Sequence, residues 1–326
     1  MRVLLLGASG LLGHNVLQTL VADGHRVVAL VRRADSVKLE QAGFDIVVGR
    51  LDVADDLDRA ADGCEAIVNC AGVTDMSLLH RSDYTAINTT LCATLLEVMK
   101  HHGIRTLVHT STVNTIGYGS QDELADESAA MRKPFLGSYY ADSKRAGEDI
   151  LLGAARGEFS DGHIVVINPG FMIGSMDVKP SSGRLLLAAY RRRLMVAPRG
   201  GKAFVHVKDV ARAVVNGLTL GGNGERYILV NDAGCFGIKQ LYEMQARVMG
   251  YRQRVLTLPN WLLSVAGVAG DTLRTLGIRT ELSTLNVRQL MVQEYYSNHH
   301  AISDLQITST PIEEAIKDFY LWRKKQ

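Results

Sequence analysis

One short run, Gly7-Ala-Ser-Gly10-Leu-Leu-Gly13, constrains this chain more than any other segment. It joins an apolar run at 3–6 to a helix-like stretch at 11–22, so the turn lies between a strand and a helix. A turn there that cradles a pyrophosphate must be tight, must let the backbone approach the phosphates, and must pack strand closely on helix. Each demand is met by a glycine, and the helix N-terminus faces the anion. The spacing is one residue longer than the common Gly-x-Gly-x-x-Gly. Its place directly after a first strand still marks it as a dinucleotide cradle. Gly7, Ser9, Gly10, Leu11, Leu12 and Gly13 are the expected contacts.

The chain continues in the same rhythm. Candidate strands at 3–6, 26–31, 45–48, 66–69, 106–110 and 163–167 alternate with helix-like stretches at 11–22, 55–61, 82–101 and 139–155. Near-continuous apolar strands with helical crossovers imply a parallel sheet covered on both faces. The expected fold is α/β, a doubly wound Rossmann sheet with a smaller C-terminal substrate lobe. Ligands then bind at the carboxyl ends of the strands. After Pro169-Gly170 the alternation dissolves, with helices expected at 185–193, from Asp209, and at 239–249, 259–276 and 311–323, and strands at 203–206 and 226–230. This divides the chain into a cofactor-binding unit, 1–170, and a mainly substrate-binding lobe, 171–326, with segments near 203–230 returning to the sheet.

Strand ends carry the chemistry. After the second strand an acidic residue would bond the ribose 2′-hydroxyl of NAD; this chain has Arg32-Arg33 instead. Arg32 is placed to pair with a 2′-phosphate, which favours NADP(H) over NAD(H). Asp52-Val53 follows the third strand and could meet the adenine edge. Cys70-Ala71-Gly72 ends the fourth, where small residues let the backbone approach the cofactor. On the helix at 139–155, Tyr140 and Lys144 lie one turn apart on one face. A lysine there can lower the pKa of a tyrosine from its usual value of about 10. With the glycine turn and Thr110-Ser111-Thr112 between the two, the pattern points to a nicotinamide-dependent enzyme with Tyr140 as acid/base.

These residues, with Asn88, Pro169-Gly170, Phe204-Val-His206-Val-Lys-Asp209 and the closing Thr310-Pro-Ile-Glu-Glu, resemble the extended short-chain dehydrogenase/reductase superfamily. The resemblance spans nearly the whole chain. Val31-Arg32 and Leu258-Pro-Asn-Trp261 look like the branch of dihydroflavonol reductases and 3β-hydroxysteroid dehydrogenases. It implies that Thr112, Tyr140 and Lys144 are catalytic, with Ser111 as runner-up to Thr112. Asn88 would tie neighbouring segments together or relay protons, and Pro169 and Gly170 would border the cofactor. Lys144 would also hold the nicotinamide ribose.

The leading expectation is an NADPH-dependent oxidoreductase acting on a small-molecule ketone, aldehyde or matching alcohol. A nucleotide-sugar epimerase or dehydratase with retained cofactor is the alternative, and a non-catalytic NADP-binding regulator a third. Phe171, Met172, Ile173, Met176, Tyr190 and the 261–268 stretch are candidate apolar walls of the substrate pocket. A net charge of +2 gives no electrostatic case for nucleic acid. Four scattered cysteines and two adjacent histidine pairs show no metal-ligand spacing, so no metal is expected. The longest late apolar stretch is too short to cross a membrane, and no cleavable leader is read at the N-terminus. A cytoplasmic protein, with a homodimer as a candidate assembly, is expected.

Overall fold

The computed structural model describes residues 1–37, 43–178 and 182–325. The first half runs β1 (Arg2–Leu6), α1 (Leu11–Ala22), β2 (Arg26–Val31), β3 (Phe44–Val48), α2 (Ala54–Ala61) and β4 (Ala66–Asn69). A helical rod follows, made of α3 (Ser82–Thr85), a π-helical turn (Ala86–Thr90) and α4 (Leu91–His102). Then come β5 (Thr106–Thr110), α5 (Tyr139–Arg156) and β6 (His163–Pro169).

The second half adds β7 (Phe171–Ile173), α6 (Gly183–Ala189), β8 (Leu194–Ala197), β9 (Gly201–His206), α7 (Val207–Asn216), β10 (Glu225–Leu229), β11 (Cys235–Gly237), α8 (Ile238–Val248) and β12 (Arg254–Thr257). It closes with α9 (Asn260–Thr275), α10 (Thr284–Gln289), α11 (His299–Leu305) and α12 (Ile312–Arg323).

Seven parallel strands form the central sheet in the order β10-β6-β5-β4-β1-β2-β3. The order reverses beside β1, so the Gly7–Gly13 turn opens at the switch point where such sheets bind ligands. Period-two alternation sorts each strand between two cores. Val3, Leu5, Val27 and Ala29 face a layer built by α1, α7 and α11, whereas Leu4, Leu6, Val28 and Leu30 face α2, α4 and α5. Each such valine or leucine contributes about 1.5–3 kcal/mol when fully buried, which explains why these runs read as uninterrupted apolar strands.

The C-terminal half divides its loyalties. β10 pairs with β6 and extends the sheet, while α7 packs beside α1. The remainder builds a third core around Ile173, Leu186, Phe204, Phe236 and Phe319. Two small sheets, β11-β9-β7 and β12-β8, frame it. The helix expected at 185–193 ends at Ala189; Arg191–Arg193 lie exposed in the turn before β8 rather than on a helix end. His206 and Asp209 fix α7 within the C-terminal half. His206 caps α7 by accepting from the Lys208 N–H at 3.1 Å, and Asp209 accepts from the Thr310 N–H and hydroxyl, each at 2.7 Å.

Candidate active site

The glycine turn is built as its spacing requires. Gly7 has φ +82°, and an added Cβ would stand 2.7 Å from the Ala71 nitrogen, so the turn lies against the end of β4. At Gly13 a Cβ would come within 2.0 Å of the Gly7 carbonyl oxygen, so α1 packs directly on the turn. A Cβ at Gly10 would meet nothing closer than 3.4 Å, and no side chain caps the helix there. The N–H groups of the first turn of α1 are thus left for an external acceptor, which is what a bound pyrophosphate supplies. Ser9 is exposed, Leu11 half-buried and Leu12 buried in the core behind the turn. A dinucleotide fits this end of the sheet.

Around it, Arg32 is exposed just beyond β2 and makes no hydrogen bond or ion pair among the described residues. Arg33, by contrast, is committed to Asp35 at 2.8 Å. Asp52 is held by the Arg50 guanidinium at 2.6 and 3.0 Å, which lowers its pKa, and Val53 precedes α2. The Cys70 thiol is pushed up to about 12 by burial, which rules it out as a thiolate nucleophile near neutral pH. Ala71 donates its N–H to the Asn69 side chain, and Gly72 lies beside Lys144, since a Cβ there would be 3.9 Å from Nζ. At the end of β6, Pro169 precedes Gly170, where a Cβ would strike the Ala203 oxygen at 2.3 Å.

Tyr140, Lys144 and Glu148 recur every fourth residue on α5 and face the end of β5. Tyr140 is half-buried, and the nearby Thr112 hydroxyl favours its ionised form against the effect of burial. Thr112 Oγ1 accepts from the Asn114 N–H at 3.3 Å, so its own O–H remains available to donate. Lys144 is buried; Nζ donates to the Thr110 carbonyl at 2.6 Å and lies 3.4 Å from His109 Nε2. Burial raises the Tyr140 pKa, and the group that opposes the rise is Thr112, not Lys144. Although the two share a face, the lysine chain turns to the strand end, and burial lowers its own pKa.

Ser111 is buried, its hydroxyl lacks a hydrogen-bond partner among the described residues, and its N–H is tied to Ile167. Tyr139 stands outside the cluster, exposed beneath Arg81. Asn88, fully buried in the π-helical turn, spends its side chain on a clamp. It accepts from the Val73 N–H at 2.8 Å and donates to the Val73 carbonyl and to Ser143 Oγ, both at 3.0 Å. Local π turns often serve such sites, because the extra residue re-aims one side chain.

Three buried groups behind the cluster were not anticipated. His109 bonds Asn69 at 3.1 Å and is held neutral by burial and the adjacent lysine. Glu148 Oε1 accepts from Thr115 Oγ1 at 2.6 Å and Asn168 Nδ2 at 2.7 Å; its other oxygen is 3.6 Å from Arg226. Asn168 also donates to the Thr112 carbonyl at 3.0 Å, so this network fixes the segment that carries the Thr112 hydroxyl. Glu148 could have been found from its period with Tyr140 and Lys144. The apolar-wall expectation also needs correction: Tyr190 stacks on Tyr320 at 4.6 Å and Ile173 is buried, both within the lobe core, while Trp261 points outward.

Residues 3–229 match the NAD dependent epimerase/dehydratase family. The chain belongs to this family. It is an NAD(P)-dependent oxidoreductase of the extended short-chain dehydrogenase/reductase type. Its relatives include a putative dihydroflavonol 4-reductase of Synechocystis, 28% identical over 97% of this chain and 92% of that protein. A ceramide reductase of Caulobacter vibrioides is 28% identical over 82% of this chain and 77% of that protein. Among solved structures, a Thermus thermophilus UDP-glucose 4-epimerase in complex with NAD shares the fold, with TM-score 0.76, 19% identity and 99% coverage of both chains.

Proposed function

We propose that this family member is an NADPH-dependent carbonyl reductase, running in reverse as an alcohol dehydrogenase. The observation that carries the reading is the Tyr140 phenol set near the Thr112 hydroxyl at the end of β5, with Lys144 one turn on, beside the Gly7–Gly13 turn. When bound, the cofactor supplies hydride; the protein supplies position and a proton. Thr112 orients the substrate oxygen through its free O–H, and Tyr140 gives that oxygen a proton. Because burial favours the protonated phenol, Tyr140 is poised as an acid, the form that reduction requires. Lys144, already at the strand end beside Gly72, would hold the ribose and steady the charge left on Tyr140.

Arg32, unpaired among the described residues where an NAD enzyme would carry a carboxylate, supports NADPH over NADH. The relatives named for reduction of dihydroflavonol and ceramide support an apolar ketone as substrate. Tyr140→Phe tests the reading: turnover should fall by about 10²–10⁴-fold, the usual worth of a positioned acid, with NADPH affinity unchanged. Substantial activity in that variant would remove Tyr140 from the role.

A further inference from the structure

Helix α9 is apolar yet has little to cover it. Among its described residues only Gly267 and Gly270 are buried, both against the segment that leads into α10; a Cβ at Gly270 would strike the Leu282 oxygen at 2.2 Å. The opposite face is open. Trp261 is 67% exposed, Val265 60%, Val268 60%, and Leu276, just past the helix, 71%. Their spacing places them along one side of the helix. No charged residue occurs between positions 260 and 270. Leu194, Val196 and Leu256 are also exposed. Val196 and Leu256 are paired across β8 and β12, and β12 runs directly into α9. An apolar surface of this extent calls for a partner.

The charge around it identifies the kind of partner. The stretches 190–199 and 250–280 contain eight arginines and a single carboxylate, Asp271, in a chain whose net charge is only +2. Arg191, Arg192, Arg193, Arg252, Arg254 and Arg279 are all exposed. Asp271 is turned inward, accepting from the Thr284 N–H at 3.0 Å. A second copy docked face to face would press one basic rim onto another, as a two-fold contact repeats each patch opposite itself. An anionic bilayer meets both needs, with headgroups for the arginines and acyl chains for the apolar face. Tryptophan is at home at that boundary.

We propose that the outer face of α9, with the β8–β12 edge, docks this protein on an anionic lipid surface. It lies on the membrane rather than through it, since no described helix is long and apolar enough to cross one. The last turn of α9 also carries Arg274, which donates to the carbonyls of Met76, Ser77 and Leu78 in the loop beyond Gly72. Docking thus fixes the rim of the site beside the bilayer. Delivery of a lipid-dissolved ketone rests on the reductase reading; docking itself does not.

The test uses the full chain with vesicles of phosphatidylcholine alone or mixed with phosphatidylglycerol. Of its two tryptophans, Trp322→Phe leaves Trp261 as the sole reporter. Sedimentation with the anionic vesicles, weakening with salt, and a blue-shifted Trp261 emission are expected. Val265→Asp/Val268→Asp should lower partitioning by about tenfold or more, with melting temperature and oligomeric state unchanged. Absence of sedimentation, or binding indifferent to the double variant, would overturn the assignment. So would a wild-type dimer that the double variant turns into a monomer, since a second copy would then cover the face.

Discussion

At the scale of single residues, the cluster is governed by burial more than by charge pairing. Tyr140 is held protonated, Lys144 is eased toward neutrality, and His109 behind it is kept uncharged. His109 carries a stability consequence with a definite sign. Its folded pKa lies well below the ordinary 6.5, so the stabilisation is complete above that value and is lost as pH falls below it. One proton is worth about 1.4 kcal/mol per pH unit in that window. Urea midpoints measured from about pH 7.5 down to pH 5 should fall with that contribution, and His109→Asn should flatten the slope by one proton's share. Arg32 offers a second residue-scale test. Arg32→Glu should cut the preference for NADPH over NADH by about tenfold or more, as the loss of a charge-assisted bond implies. Equal binding constants in variant and wild type would return Arg32 to the solvated surface.

At the scale of elements, α5 presents three groups on one face: Tyr140 near Thr112, Lys144 at the strand end, Glu148 in the scaffold. Glu148→Ala should cost about 3–5 kcal/mol, because it leaves Arg226 beside an emptied buried site and frees Asn168 and Thr115. A thermal melt measures that loss; an unchanged midpoint would mean the network does not hold the Thr112 segment. The sequence made α5 and the six first strands legible because each has a strong local period and an apolar face. The three- and four-residue strands β7, β8, β11 and β12 had no such signal, since pairing such as Val196 with Leu256 is set far along the chain. For the same reason 185–193 read as helix. Tyr140 and Lys144 stood out by spacing, whereas the true aim of the Lys144 ammonium depends on where β5 ends in space.

At the scale of the whole molecule, the sheet carries the glycine turn at its switch point, and the C-terminal half packs at the strand ends while leaving one apolar helix face open. The fold alone is shared with epimerases, so the redox outcome decides the account. The direct measurement is net NADPH oxidation by the purified protein, with apolar ketones in one arm and UDP- and dTDP-sugars in the other, each repeated with Tyr140→Phe. We expect stoichiometric consumption with a ketone, lost by about 10²–10⁴-fold in Tyr140→Phe while NADPH still binds, and none with the sugars. Isomerised or dehydrated nucleotide sugar without net NADPH consumption, or a Tyr140→Phe variant that turns over ketone normally, would contradict it.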